Sequence, residues 1–493
     1  MTWTFFWKIC SFALYFANII LVISVVWRLV MKKSDPMKTL TWIVVLILLP
    51  YIGLILYLLV GQNYRKDAIF KNKRIVDIEV RKKLALNQLH HYKDLDNLAA
   101  SVSPYKKLIR QNLLGNYSIL TVIDKIDFYF SGKEALDAMI ADMESATQHI
   151  HLQSFIYMDD IIGTRIRDIL VEKAANGVEV RLIYDSFGSF KAKRRFFKEM
   201  RNAGVEVLEF SPVRIFKPTH KINYRNHRKI LVVDGRVGYI GGVNIADRYY
   251  DGGVFEEWRD TQIRVEGEAV FPMQSSFLLD RYFIINRHLT RRRKYYADID
   301  LKNIHRHKEE TDIYSQFLTS GPDSDWSSIK ECYFSMITGA NRRICINTPY
   351  FTPSESLIKA IRTASLGGVE VNLMMPARAD STLIHYCSMS YIKELLRAGV
   401  NVYLFKSGFI HSKSITVDGQ ICMVGSANMD NRSMLYDFEV MSVIYNPQCA
   451  AILEEQFDKD ISKCEKISLP KWEKRGYKEK LFEGLSRLVS PML

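Results

Sequence analysis

The feature that most constrains this chain is a motif written twice at one spacing. His227-x-Lys229 is followed after four intervening residues by Asp234, and after six more intervening residues by Gly241-Gly242-x-Asn244. In the second half His411-x-Lys413 leads to Asp418 and then to Gly425-Ser426-x-Asn428, at the same intervals. The sequence around the motifs repeats as well. Four segments run helix, glycine, short alternating strand: Gly177 before Val178-Glu179-Val180, Gly204 before Val205-Glu206-Val207, Gly368 before Val369-Glu370-Val371, and Gly399 before Val400-Asn401-Val402. Glycine just past a helix takes the left-handed conformation that ends it, and the β-branched run opens a strand. Strands predicted over 150–157 and 344–351 pair off in the same order. Such a chain folds as a duplicated α/β unit of roughly 150 to 200 residues, an ordinary domain size.

At 493 residues the chain exceeds one ordinary core. Apolar residues at 48% and charged residues at 25% exclude a disordered chain. The formal net charge of +14 favours an anionic partner: nucleic acid, an acidic membrane surface or a phosphorylated substrate. The seven cysteines are scattered and never spaced C-x-x-C, which argues against a disulfide framework and a zinc site. They read as reduced thiols in a cytosol-facing domain.

Two charge-free apolar runs open the chain, Ile9 to Trp27 (19 residues) and Thr39 to Val60 (22 residues). Each is long enough to cross a bilayer as a helix, with Trp3, Trp7, Trp27, Trp42 and Tyr57 near the run ends as interface anchors. No small-residue cleavage site follows the first run, so retained helices are expected over a signal peptide. Pro50 and Gly53 predict a kink in the second. Two crossings leave both termini on one side. Eight basic residues between Gly61 and Lys83 favour a cytoplasmic main domain, against which the four in the Arg28–Lys38 loop count.

The predicted organisation is two transmembrane helices over 1–62, a basic connector over 63–118, a first lobe over 119–280, a basic linker over 281–312, a second lobe over 313–460 and an amphipathic tail over 461–493. In the tail, Leu481, Phe482, Leu485, Leu488 and Val489 share one helical face. Membrane surface and lobe packing both remain open for it.

The motifs carry the chemistry. His227 and Lys229 stand two apart at the start of a strand, so imidazole and ammonium project to one face, and His411 and Lys413 do likewise. Asp234-Gly235 and Asp418-Gly419 read as type I′ hairpin turns, which return the chain and bring the glycine pair and asparagine beside the histidine. The other nine histidines repeat at no matched spacing and read as core or surface residues.

These motifs resemble the HKD signature of the phospholipase D superfamily, over about residues 120 to 460. Gly61-Gln62-Asn63-Tyr64-Arg65, Trp258-Arg259-Asp260, Gly321-Pro322, Asn347-Thr348-Pro349-Tyr350-Phe351 and Asn431-Arg432-Ser433 are similar more specifically to bacterial cardiolipin synthases. Gly242 departs from the pattern where many members have serine. The resemblance implies an α/β fold of two duplicated phospholipase D-type lobes with pseudo-two-fold symmetry, preceded by two transmembrane helices. It implies one shared site with His227, Lys229, Asp234, His411, Lys413 and Asp418 as the catalytic set. His227 would be the nucleophile and His411 the acid/base, although near-equivalent motifs leave the exchange open. Asn244, Asn428 and Ser426 would bind the substrate phosphate, and an Asp-Gly turn alone also accounts for Asp234 and Asp418. A reacting histidine needs its other ring nitrogen fixed, usually by a carboxylate, and Asp260 and Glu439 are the candidates. No cofactor or metal is implied, since two lysines supply positive charge. The implied reaction joins two phosphatidylglycerol molecules into cardiolipin and glycerol through a phosphatidyl-histidine. The implied setting is a bacterial inner membrane, multi-pass, with cytoplasmic lobes, anionic membrane lipids as partners and no nucleic acid. The alternative is a phospholipase D-type hydrolase of phospholipid or nucleic acid.

Overall fold

The two motif hairpins lie at the centres of two sheets. The computed structural model describes residues 3–31, 36–57, 81–90, 98–211, 224–285, 292–296, 311–488 and 490. Strand Ile230–Val233 is flanked by His149–Ser154 on one side and Val237–Gly241 on the other, both antiparallel. Beyond them lie Glu179–Asp185 and Glu206–Phe210 on one side and Trp258–Glu266 on the other. The second half repeats the order Asn401–Phe405, Glu370–Pro376, Arg343–Asn347, Ser414–Val417, Ile421–Gly425, Glu439–Tyr445. The four predicted helix-ending glycines, 177, 204, 368 and 399, all take positive φ, between 86° and 96°.

Alternation along the motif strand joins two cores. Leu231 and Val233 pack among Leu136, Ile140 and Leu170 within the first lobe. Ile230 and Val232 face Cys422, Val424 and Val440 of the second sheet. A strand covered on both faces reads as a continuous apolar run, as Ile230-Leu231-Val232-Val233 does.

Several elements sit elsewhere than their sequence neighbours. Leu120–Ile123, assigned to the first lobe, pairs with Ile313–Ser320 of the second sheet. Helix Lys106–Asn116, inside the expected connector, buries Leu108, Ile109 and Leu113 in the second-lobe core. Cys464–Ile467, in the expected tail, adds an edge strand to that sheet. In the basic linker, Tyr295 is buried and its hydroxyl donates to Glu179 (2.8 Å), so this part is docked on the first lobe. An apolar segment goes to whichever sheet edge or helix face is open, and chain proximity does not say which.

The N-terminal segment forms a unit of its own. Among the described residues one helix, Phe5–Met31, is long and apolar enough to cross a membrane. The expected second crossing is divided into Pro36–Leu48 and Pro50–Leu56. Pro50 has no N–H to donate, and Leu49 leaves the helical region (φ −130°, ψ 64°). Trp42 and Tyr57, which a straight helix would hold about 22 Å apart, meet edge to face at 5.3 Å. Gly53 passes so close to the Val45 carbonyl that a Cβ there would lie 2.7 Å from its oxygen. The second apolar run is therefore folded back on itself. Residues 58–60 lie outside the described residues.

The Asp-Gly pairs form the predicted turns. Asp234 and Gly235 have φ of 52° and 67°, Asp418 and Gly419 of 56° and 65°. Arg236 N–H bonds to Val233 O and Gln420 N–H to Val417 O, both at 3.0 Å. These turns lie at the far ends of the motif strands from the histidines. The Asp234 carboxylate accepts the backbone N–H groups of Thr147, Gln148 and His149, each at 2.8 Å. Asp418 accepts those of Asn341, Arg342 and Arg343 at 2.9, 2.7 and 2.9 Å. Partial burial raises the Asp234 carboxyl, but these donors outweigh it and hold it below the usual carboxylate range. The resemblance places Asp234 and Asp418 in the catalytic set, and turn chemistry gives them a structural role; in the structure they clamp the loops that open strands His149–Ser154 and Arg343–Asn347. Asp234→Ala should cost about 1.5–3 kcal/mol of stability, measured by denaturant titration, with turnover per folded molecule at the parental level. Lost turnover in a folded variant would contradict the structural role.

Candidate active site

Each lobe delivers an imidazole and an ammonium together, because His227 and Lys229 immediately precede strand Ile230–Val233, and His411 and Lys413 precede Ser414–Val417. Backbone pairing between the halves brings the two sets to one place. His227 N–H donates to Phe438 O (3.0 Å) and Phe438 N–H to Arg225 O (2.8 Å). His411 N–H donates to Arg259 O (2.7 Å), and Phe409–Ile410 pairs in parallel with Trp258–Arg259. Each histidine thus lies beside the residue that precedes the other half's carboxylate.

The side chains then pair crosswise. His227 Nδ1 lies 2.8 Å from Glu439 Oε1, and His411 Nδ1 lies 2.7 Å from Asp260 Oδ2. Both proposed orienting carboxylates are present, both are fully buried, and each serves the histidine of the opposite lobe. With Nδ1–H given to a carboxylate, Nε2 keeps its lone pair. Burial, then the ammonium groups of Lys229 and Lys413, push both imidazoles well below their ordinary value. Burial also lowers Lys229 to about 7 and Lys413 to about 8. The same desolvation raises Asp260 to about 6 and Glu439 to about 7. Lys229 Nζ donates to His227 O (2.7 Å) and Lys413 Nζ to His411 O. Each ammonium retains further protons for an anion. A phosphodiester between them would oppose the desolvation and raise both lysines again.

The flanking positions differ from expectation. Ser426 donates its hydroxyl to Glu439 Oε2 and accepts the Val440 N–H (3.0 Å), so it secures the carboxylate instead of facing a phosphate. At the equivalent Gly242 a Cβ would lie 2.1 Å from Asp260 Oδ1. Glycine therefore makes room for the nearer carboxyl of aspartate, whose Oδ1 takes the Thr261 N–H at 2.7 Å. Asn244 has both ends engaged: Nδ2 donates to Tyr249 Oη (2.7 Å) and Oδ1 accepts the Ile156 N–H (3.0 Å). Asn428 Oδ1 is buried without a partner.

The walls of the site include Phe155 and Tyr249, which the sequence does not single out, and Trp258. Phe155 stands edge-on to His227, ring centres 5.0 Å apart, and Tyr249 and Trp258 lie 5.5 and 5.4 Å from His411. Arg432 pairs with Asp437 at 3.2 Å beside the Glu439 strand. No spacing rule points to Phe155 or Tyr249, which reach the histidines only through folding.

This geometry has known counterparts. A family model described as "Cardiolipin synthase, PLD-like domain" matches residues 139–264 and 333–461. Another, "Phospholipase_D-nuclease N-terminal", matches residues 16–62. The chain is 37% identical over 488 residues to the major cardiolipin synthase ClsA of Bacillus subtilis (strain 168), covering 97% of this chain and 98% of that protein. It is 38% identical over 469 residues to a cardiolipin synthase of Clostridium perfringens (strain 13 / Type A), covering 94% and 95%. Among solved structures, phosphatidylserine synthase of Haemophilus influenzae Rd KW20 superposes with a TM-score of 0.60 at 14% identity, over 78% of this chain and all of that one, a likeness of fold.

The lowered lysines set a pH dependence. An anionic substrate needs both ammonium groups, and burial places their deprotonation at about 7 and about 8. Because kcat/KM reports the free enzyme, it should fall as pH rises through 7 to 8. The fall in kcat should come at higher pH, since bound anion stabilises the ammonium forms. A kcat/KM limb near the ordinary lysine value of about 10.4 would contradict the burial effect.

Proposed function

The chain belongs to the family of cardiolipin synthases with phospholipase D-like domains, and from that premise we propose that it joins two phosphatidylglycerol molecules into cardiolipin and releases glycerol. The carrying observation is a complete, doubled histidine–lysine site in a chain 37% identical, over nearly its whole length, to a cardiolipin synthase. His227 Nε2 attacks the phosphorus of the first phosphatidylglycerol. The bond from phosphorus to the headgroup glycerol oxygen breaks, and that oxygen takes a proton from His411, whose imidazolium form, disfavoured by burial, gains the bound anion as a partner. A second phosphatidylglycerol gives its glycerol hydroxyl proton to His411 and attacks phosphorus, and the phosphorus–nitrogen bond breaks. A covalent intermediate divides one hard displacement into two easier ones, and one imidazole serves as acid and then as base. Lys229 and Lys413 stabilise charge on the non-bridging oxygens. Glu439 and Asp260 hold the two rings in the productive tautomer.

The folded-back second segment supports a membrane arrangement with one crossing, helix Phe5–Met31, and a hairpin over 36–57 that enters and leaves one face. A helix of 13 residues is short for a span and suits a re-entrant segment. With one crossing, the basic residues of 28–38 and of 61–83 lie on the same side as the lobes. Both then obey the positive-inside tendency in the cell membrane, and the conflict between them disappears.

Liposomes holding only phosphatidylglycerol should yield cardiolipin and free glycerol in equal amounts, with little phosphatidic acid, and a chelator should leave the rate intact. His227→Ala should abolish turnover, and Lys229→Ala or Lys413→Ala should cost roughly a hundredfold or more. His411→Ala should accumulate an acid-labile lipid adduct on His227. Phosphatidic acid as the main product would make the enzyme a hydrolase. Reporters fused before Met1 and after Leu493 should lie on opposite sides of the membrane. Both on one side would restore two crossings.

A further inference from the structure

Two exposed apolar patches stand at the cleft, and the chemistry uses neither. The first is the loop after strand Glu179–Asp185. Phe187 and Phe190 are 54% and 68% exposed, with ring centres 6.2 Å apart. Lys191, Lys193, Arg194, Arg195, Lys198 and Arg201 follow, against the single acid Glu199. This loop is built, not loose. The buried Asp185 carboxylate accepts the N–H groups of Phe187 (2.8 Å) and Gly188 (3.2 Å). The Ser189 hydroxyl donates to Phe155 O (3.3 Å) and accepts the Tyr157 N–H (2.9 Å). Phe155 is the residue whose ring meets His227, so the outward rings are held directly beside the site.

The second patch is the C-terminal helix Tyr477–Leu488, which is docked with its polar side inward. Its buried residues are Glu483 and Ser486, while Leu481, Phe482, Leu485 and Leu488 are 46% to 71% exposed. At helical spacing these four and Tyr477 form one stripe, which a surface helix in water would normally turn inward. Polar contacts hold the reversed orientation. Glu483 pairs with Arg475 (2.5 Å), Arg487 Nη1 donates to Ser390 O (3.1 Å), and Tyr391 Oη bonds to Ser490 Oγ (2.6 Å). The Phe482 ring lies 5.5 Å from Tyr386 on helix Thr382–Met389. That helix follows strand Glu370–Pro376, the duplicate of Glu179–Asp185. The pseudo-two-fold that exchanges the two histidines therefore relates the Phe187–Phe190 loop to helix Thr382–Met389, the element on which the second patch is docked.

We propose that both patches insert into the headgroup layer of an anionic bilayer and seat the mouth of the cleft on the lipid surface. Three observations select this occupant. An apolar stripe flanked by Lys474, Lys478 and Lys480 has the composition of an in-plane membrane helix. The basic run after Phe190 matches anionic headgroups. Helix Phe5–Met31 of the same chain is long and apolar enough to cross a bilayer. Seated so, the cleft receives a phosphodiester whose acyl chains stay in lipid. Only the effect on turnover rests on the phospholipid reading above; the docking itself does not.

The test uses the full chain in proteoliposomes of phosphatidylcholine and phosphatidylglycerol with brominated acyl chains. Tryptophan placed by Phe190→Trp or Leu485→Trp should be quenched relative to the parent protein. Phe190→Ser combined with Leu485→Ser should lower turnover of bilayer phosphatidylglycerol about a hundredfold, about tenfold for each partly buried apolar side chain removed. Turnover of short-chain, monomeric phosphatidylglycerol should match the parent. Absent quenching at both positions overturns the proposal, whatever the turnover. So does a double variant that dissociates an oligomer in detergent, because a second copy would then be the occupant. If the double variant also loses short-chain turnover it is misfolded, and the tryptophan variants decide alone. Quenching without any synthase activity would keep the docking and overturn the function.

Discussion

The crossed histidine–carboxylate pairs tie the chemistry to the packing of the lobes. A fully buried carboxylate without a partner would carry a desolvation penalty of several kcal/mol. Glu439 and Asp260 meet that requirement only if the opposite lobe presents its histidine within hydrogen-bond reach, as at 2.8 and 2.7 Å. Backbone bonds at the same crossing, from His227 to Phe438 and from His411 to Arg259, fix the strands that carry them. Neither lobe holds a competent histidine by itself. The apolar contact of Ile230 and Val232 with Val424 and Val440 supplies the association that makes the crossing possible.

Two buried lysines within one site are costly in the absence of an anion, and the depressed values of Lys229 and Lys413 express that cost. The site is preorganised for a bound phosphodiester: the anion restores the ammonium forms and the ammonium groups hold the anion. Preorganised charge of this kind needs little rearrangement when charge develops at phosphorus.

Duplication left the halves equivalent in strand order and unequal in detail. Glu439 is met by the Ser426 hydroxyl, and Asp260 by the space that Gly242 leaves. The serine belongs with the longer carboxylate and the glycine with the shorter, so the departure from the family pattern at Gly242 is a matched change and not a lost phosphate contact. Asn244 and Asn428 diverge likewise, the first tied to Tyr249 and Ile156, the second with its carbonyl oxygen unpaired.

Local rules made much of this readable from residues alone. The Asp-Gly turns, the four helix-ending glycines, the shared face of each histidine and lysine, and the carboxylates at the heads of two strands all depend on neighbours within a few positions. Turn chemistry and strand period operate at that range. The partner of each histidine does not: the pairs join residues 212 and 151 positions apart, and the pseudo-symmetric alternative, each carboxylate with its own motif, has the same local sequence. The same holds for Leu120–Ile123 in the second sheet, for Ser426 turned to Glu439, and for the inverted helix Tyr477–Leu488. In the second apolar run, composition announced a membrane segment and Pro50 a bend, but only the meeting of Trp42 with Tyr57 revealed that the chain turns back. Sequence by itself determined most of the local elements and the doubled set of histidines, lysines and carboxylates. Tertiary structure decided which surfaces meet, because burial is settled between distant segments and leaves no periodic mark in either one.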